Sequence, residues 1–143
     1  MLAAYWRIRF INETGQTMTY ADAARIAIRM QEWKLVNGVL TRNTVIAEDL
    51  GFSTGTIVDD GEVEAAVVTN TDNWWGVHGI FEIIHDLDAA LGVCRLYLEH
   101  ADVVSGYWPS DRDDFVITDM IQIAMLDIDN SGVDKSRSEN FVF

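Results

Sequence analysis

The chain has 143 residues, a hydrophobic fraction of 49% and a formal net charge of −13. That length buries about two-thirds of the unfolded surface in one domain without a metal or disulfide staple, and the apolar content excludes a chain disordered throughout. The excess of carboxylates argues against binding nucleic acid through its phosphates, because that affinity comes from Lys and Arg. No apolar run reaches the roughly 18 residues of a membrane-spanning helix. The start, MLAAYWRIRF, is too short and too quickly charged for a secretory leader. A lone Cys94 forms no internal disulfide. Both features fit synthesis in a reducing cytoplasm.

Charge is divided by position. Residues 1–46 carry six cations and three carboxylates, a net of +3, and residues 47–143 carry four cations and twenty carboxylates, a net of −16. A basic end on an acidic body suits head-to-tail packing of identical copies.

Along the chain the dominant period is two, the mark of strands. Trp6, Ile8 and Phe10 alternate with Arg7 and Arg9, which places the arginines on the opposite face. In Thr19–Trp33, Thr19 with Asp22 is a loose capping box and four alanines favour helix. Against this, Ile26, Ile28 and Met30 alternate with Arg25, Arg29 and Gln31, and Asn37-Gly38 is a strong hairpin turn. A strand from about 24 to 36 is therefore favoured, with helix as the alternative. Val63, Ala65 and Val67 alternate with Glu62, Glu64 and Ala66. Val77–Ile84 is nearly all apolar, as in a strand buried on both sides. Asp86–Leu91 offers one helical turn at most. Cys94, Leu96 and Leu98 form one face of a strand, and Ile121, Ile123 and Met125 form another. Phe141-Val142-Phe143 reads as a final strand. Turn residues separate these runs at short intervals. The expectation is a single all-β domain over residues 1–143. Its architecture is a two-layer antiparallel β-sandwich, jelly-roll-like, with at most one or two short helices.

The polar residues give no reaction centre. Asp127-Ile-Asp129-Asn130-Ser131-Gly132 opens like a calcium loop, but Ser138 stands where the bidentate glutamate belongs, so a polar turn between strands is the simpler reading. His78, His85 and His100 show no metal-ligand spacing, and on one strand His78 and His85 point to opposite sides. Asp111, Asp113 and Asp114 share a loop, and Asp59, Asp60, Glu62 and Glu64 read as a solvated turn and edge. Cys94 lies on an apolar face, as a buried, inert thiol does. No catalytic, cofactor or metal residue is assigned, and a non-enzymatic role is expected. Aromatic pairs stand beside turns at Trp74-Trp75 and Tyr107-Trp108. They either cap the core, anchor a subunit contact or stack on sugars. The candidate interface residues are Arg25, Arg29, Trp74, Trp75, Tyr107, Trp108, Asp111, Asp113 and Asp114.

The segments Gly79-Ile-Phe-Glu-Ile, Gly92-Val-Cys-Arg-Leu-Tyr-Leu-Glu and Gly106-Tyr-Trp-Pro-Ser-Asp resemble small virion structural proteins of tailed bacteriophages. The likeness runs over roughly residues 50–125 and takes in Gly51-Phe52, Gly55-Thr56-Ile57 and Asp60-Gly61. It implies an all-β subunit of the capsid decoration, the tail or a fibre, and no catalytic residue. The expected partners are copies of itself and other virion proteins, with a host surface glycan possible. The expected location is the virion, after synthesis in the host cytoplasm. A carbohydrate-binding sandwich module or adhesin domain is the alternative.

Overall fold

The computed structural model describes residues 2–19, 25–44, 46–48, 55–85, 92–101, 108, 120–128 and 135–143. The side chains of Thr19, Arg25, residues 46–48, His85 and residues 135–137 are outside this description. So are the calcium-like turn beyond Ile128 and the helix candidate at 86–91.

Twelve strands and no helix appear among the described residues. They are β1 (Tyr5–Glu13), β2 (Met18–Thr19), β3 (Arg25–Val36), β4 (Val39–Arg42), β5 (Ile46–Glu48) and β6 (Thr56–Ile57). The rest are β7 (Glu62–Glu64), β8 (Val68–Thr69), β9 (Gly76–His85), β10 (Gly92–Ala101), β11 (Ile121–Ile128) and β12 (Lys135–Val142). One sheet has the order β11-β10-β1-β7, with β8 also on β1; the other has the order β12-β9-β3-β4, with β5 also on β3. All pairings within the two sheets are antiparallel. The first is called the inner-cluster sheet and the second the bare sheet, for reasons given below. The β-sandwich expected from the sequence is thus the fold.

The two sheets meet through the apolar phase of each strand. Trp6, Ile8 and Phe10 of β1 and Cys94, Leu96 and Leu98 of β10 face Ile26, Ile28 and Met30 of β3 and Val77, Phe81 and Ile83 of β9, all within one buried cluster. Phe10 meets Phe81 edge to face at 6.1 Å, a geometry that suits the ring quadrupoles. The strand reading of β3 prevails over the helical one because only a period of two sends Ile26, Ile28 and Met30 to the same side. Gly79 fits where the backbone of β3 comes closest: a Cβ there would stand 2.2 Å from the Arg29 carbonyl oxygen.

Three expectations are corrected. β9 is buried on one side only: Val77, Phe81 and Ile83 are in the core, while Ile80 on the opposite face is 45% exposed. No described residue covers that second face at Ile80. β11 is in the opposite phase to the one read from sequence. Ala124, Leu126 and Ile128 are buried, and Met125 and Asp127 face out. A bulge interrupts the alternation: Leu96 pairs with Ala124 but Tyr97 pairs with Gln122, leaving Ile123 extra, so Ile121 at the strand's start falls opposite core-facing Leu98 although it is 41% exposed. The phase that buries Leu126 and Ile128 also keeps Asp127 in solvent. Finally, the expected run of alternation after Glu62 stops early, and β7 and β8 are separate short pieces on the same edge of β1.

Truncation of Phe81 to alanine is expected to cost about 3–5 kcal/mol, from the transfer and cavity terms together. Urea unfolding followed by tryptophan fluorescence measures it; a loss under about 1 kcal/mol contradicts this core.

Candidate interaction surface

The outer faces of the two sheets differ. On the inner-cluster sheet, Arg7 and Arg9 point away from the core, as the alternation demands, yet they are only 6% and 2% exposed. Carboxylates and an aromatic ring close over them. Arg7 donates from Nε to Glu99 at 2.6 Å and from Nη1 to Glu64 at 2.6 Å. Arg9 pairs with Glu62 at 2.5 Å and with Glu64. Trp108 lies 4.4 Å from the Arg7 guanidinium, ring against cation. Beside this network, Ile11, Tyr97 and Met120 form a second, small apolar cluster. Trp108 and Met120 both fall in the chain between β10 and the start of β11, so the chain covers this face itself. The cluster is structural: it fixes register, because a slip of one residue would turn two arginines into the core.

Among the described residues, nothing covers the bare sheet in this way at its hairpin end. Its outer phase carries Arg29, Gln31, Trp33 and Leu35 on β3, Leu40 and Arg42 on β4, His78 and Ile80 on β9, and Val142 on β12. Trp33, Leu40, Arg42, His78 and Val142 line an open depression of about 370 Å³. Arg29 and Arg42 are exposed and make no ion pair among the described residues. The floor is tightly built. Trp33 donates from Nε1 to the Phe143 carbonyl at 3.1 Å, and Gly76 leaves room for its indole.

A hairpin extends this face beyond the sandwich. β9 accompanies β3 only as far as Trp33 opposite Gly76. Beyond that, β3 and β4 pair with each other alone, closing through Asn37 (φ 51°) and Gly38 (φ 79°). Two successive positive φ values define the type I′ turn that the sequence announces. The hairpin is apolar on both sides. Leu35 pairs with Leu40 on one, and Val36 with Val39 on the other, and all four are exposed. On the outer side, Leu35 and Leu40 continue the exposed apolar surface of Ile80 and Val142.

The candidate residues named from sequence divide accordingly. Arg29 belongs to the bare face. Trp75 is 36% exposed and packs edge to face on Trp33 at 6.4 Å. Trp74 and Trp108 are buried within the chain and are withdrawn as docking residues; Lys34 lies 4.4 Å from the Trp74 ring. Arg25 opens β3, with its side chain undescribed, and Tyr107, Asp111, Asp113 and Asp114 are outside the described residues. The sequence reading missed the hairpin leucines and valines. Their signal was present: four apolar residues flanking a turn, with no charge among them.

No grouping of three or more His, Cys, Asp or Glu able to hold a metal occurs among the described residues. Three core-facing polar atoms, Trp6 Nε1, Glu32 Oε1 and His100 Nε2, are buried without a hydrogen-bond partner among them. Burial lowers the His100 pKa, and the N-terminal ammonium adds to that. Burial, helped by the Glu13 carboxylate, pushes the Cys94 thiol far above its usual range. No family model matches this chain, and neither a curated protein nor a solved structure does.

Two outcomes follow from this chemistry. Glu99→Ala takes the acceptor from the buried Arg7 Nε and is expected to destabilise by about 1–3 kcal/mol; in a double-mutant cycle with Arg7→Ala, the paired loss falls short of the sum by over about 1 kcal/mol. Additivity in denaturant melts contradicts the network. Cys94 stays protonated when folded but ionises in the unfolded chain above its ordinary pKa of about 8.5. Stability therefore falls as pH rises past that value, and a thiol reagent labels Cys94 only at the rate of unfolding. Prompt labelling of native protein at pH 8 contradicts its burial.

Proposed function

We propose that the chain is a non-enzymatic structural subunit of a tailed-phage virion, acting by assembly with copies of itself. The observation that carries the assembly reading is the largely apolar outer face of the bare sheet, which no described residue covers at its hairpin end. One chain builds both outer faces, covers one with its own residues, and leaves Trp33, Leu40, Val142 and Ile80 on the other. Arg29 and Arg42 flank it on a chain whose net charge is −13, so charge orients the encounter while apolar burial supplies most of the affinity. The sequence resemblance supports a place in a phage particle, as decoration, tail or fibre component, with the subunit made in the host cytoplasm and other virion proteins as neighbours.

The carbohydrate reading draws less support. Sugar stacking needs a coplanar exposed aromatic pair, and Trp33 and Trp75 meet at 67°.

Sedimentation velocity across a concentration series tests the reading. The expected result is an oligomer at micromolar protein that Leu40→Asp weakens by at least about tenfold, as for an interface anchor. A protein that remains monomeric at high concentration and at every salt level contradicts it. Peptides of this chain in purified particles test the virion assignment separately.

A further inference from the structure

Resting on the assembly reading, we infer that the free edge of β4 pairs with the β4 edge of a second copy. The two strands run antiparallel about a two-fold axis, with Leu40 opposite its duplicate. The two bare sheets then become one sheet with a continuous outer face.

β4 ends the bare sheet, and among the described residues no strand pairs with its other edge. Its bonding to β3 fixes what that edge offers, because opposed residues of an antiparallel pair exchange hydrogen bonds at every second position. The Asn43 N–H donates to the Glu32 carbonyl at 2.9 Å. The same register sets Thr41 opposite Lys34 and Val39 opposite Val36. These residues bond inward, as the two-residue turn requires. The N–H and C=O of Leu40 and Arg42 therefore point away from β3. Other lateral strands carry the guards common at sheet edges. The Met125 N–H of β11 donates to the Glu139 carboxylate of β12 at 2.8 Å. β7 is 3 residues long and bears Glu62 and Glu64. β4 has no such guard: residues 33–46 hold neither carboxylate nor proline, and the β3–β4 register runs without a bulge.

Three observations point to a second copy as the occupant. The edge is reachable, because β9 accompanies β3 only to Trp33 opposite Gly76 and the hairpin stands past that point. Charge allows the approach. Copies of a chain with net charge −13 repel one another, and the hairpin is free of carboxylates. The side chains match, because opposed residues share a face. Leu35 and Leu40 form one row with their duplicates on the outer side, and Val39 meets Thr41 on the other. Charge also selects the register. With Leu40 on the axis, Arg42 lies about 14 Å from its duplicate, beyond the roughly 8 Å screening length of physiological salt. Centring on Thr41 would oppose Leu40 with Arg42 and bring the two guanidinium-bearing residues to about 8 Å on one face. The joined outer face, with Trp33, Ile80 and Val142 of both copies, remains for the docking proposed above.

Directed disulfide formation tests this without touching Leu40. In the proposed register Val39 of one copy and Thr41 of the other are opposed at about 4.5 Å between Cα atoms, within disulfide reach. Each lies about 8 Å from its own duplicate, out of reach. Val39→Cys and Thr41→Cys are mixed under mild oxidation and run on non-reducing gels. The mixture is expected to give at least about tenfold more covalent dimer than either variant alone, and buried Cys94 leaves the wild type unlinked. If wild type associates in sedimentation velocity but the mixture does not cross-link, or if Thr41→Cys links to itself instead, the pairing on Leu40 is overturned while the assembly reading stands. If wild type never associates and nothing cross-links, the assembly reading fails with it. A second comparison sets Leu40→Pro against Leu40→Ala, at matched melting temperatures. Both lose the leucine, but only proline removes the outward N–H, and it leaves the bonds to β3 in place. Proline is expected to weaken association at least about tenfold more than alanine, as for two lost backbone bonds. Equal weakening contradicts the pairing.

Discussion

A strand turns alternate side chains to opposite sides, so a two-sheet sandwich always leaves two outer faces to dispose of. This constraint governs the molecule. The inner faces solve each other: Phe10 and Phe81 meet between the sheets, with aliphatic side chains around them. The outer faces require something else, and the chain treats them unequally. One is folded under Trp108 and Met120. The other keeps its tryptophan, leucine and valine side chains at the surface.

The covered face shows what cover requires. Burying Arg7 and Arg9 is costly unless every guanidinium meets carboxylate. Glu62, Glu64 and Glu99 come from two different strands to do so. Much of the basic character of the N-terminal third is thereby neutralised inside the subunit, and Arg95 is likewise held by Glu13 at 2.5 Å. Among the described side chains, the cations without an ion pair are Arg29, Lys34 and Arg42, all on the bare sheet. The positional split of charge in the sequence therefore acts through fewer residues than its total suggests, and those few stand beside apolar surface.

The sandwich was legible because alternation is local. Ile26, Ile28 and Met30 settle β3 against the pull of its alanines, and Asn37-Gly38 announces its hairpin. What was illegible depended on what lies across the sheet. Nothing adjacent to Arg7 or Arg9 in sequence tells that Glu99 and Trp108 will close over them. The β11 phase was misread because Ile121, Ile123 and Met125 look like an inward face. Asp127 in that phase, with Leu126 and Ile128 in the other, was the available signal, and a bulge reconciles the two. Of the aromatic pairs, the sequence separates adjacent rings to opposite faces but does not say that Trp74 and Trp108 are the buried members. A docking surface built from ordinary strand residues has no motif to announce it, and it emerges only once the second sheet shows which phases are covered.

Hydroxyl-radical footprinting of the protein at rising concentration tests the claim of an uncovered docking face most directly. Oxidation of Leu35, Leu40 and Val142 is expected to fall several-fold as subunits associate. Val58, 59% exposed and away from that sheet, should keep its rate as an internal control. Unchanged oxidation of Leu40 and Val142 in protein that has associated would mean that copies meet elsewhere, and would contradict the account.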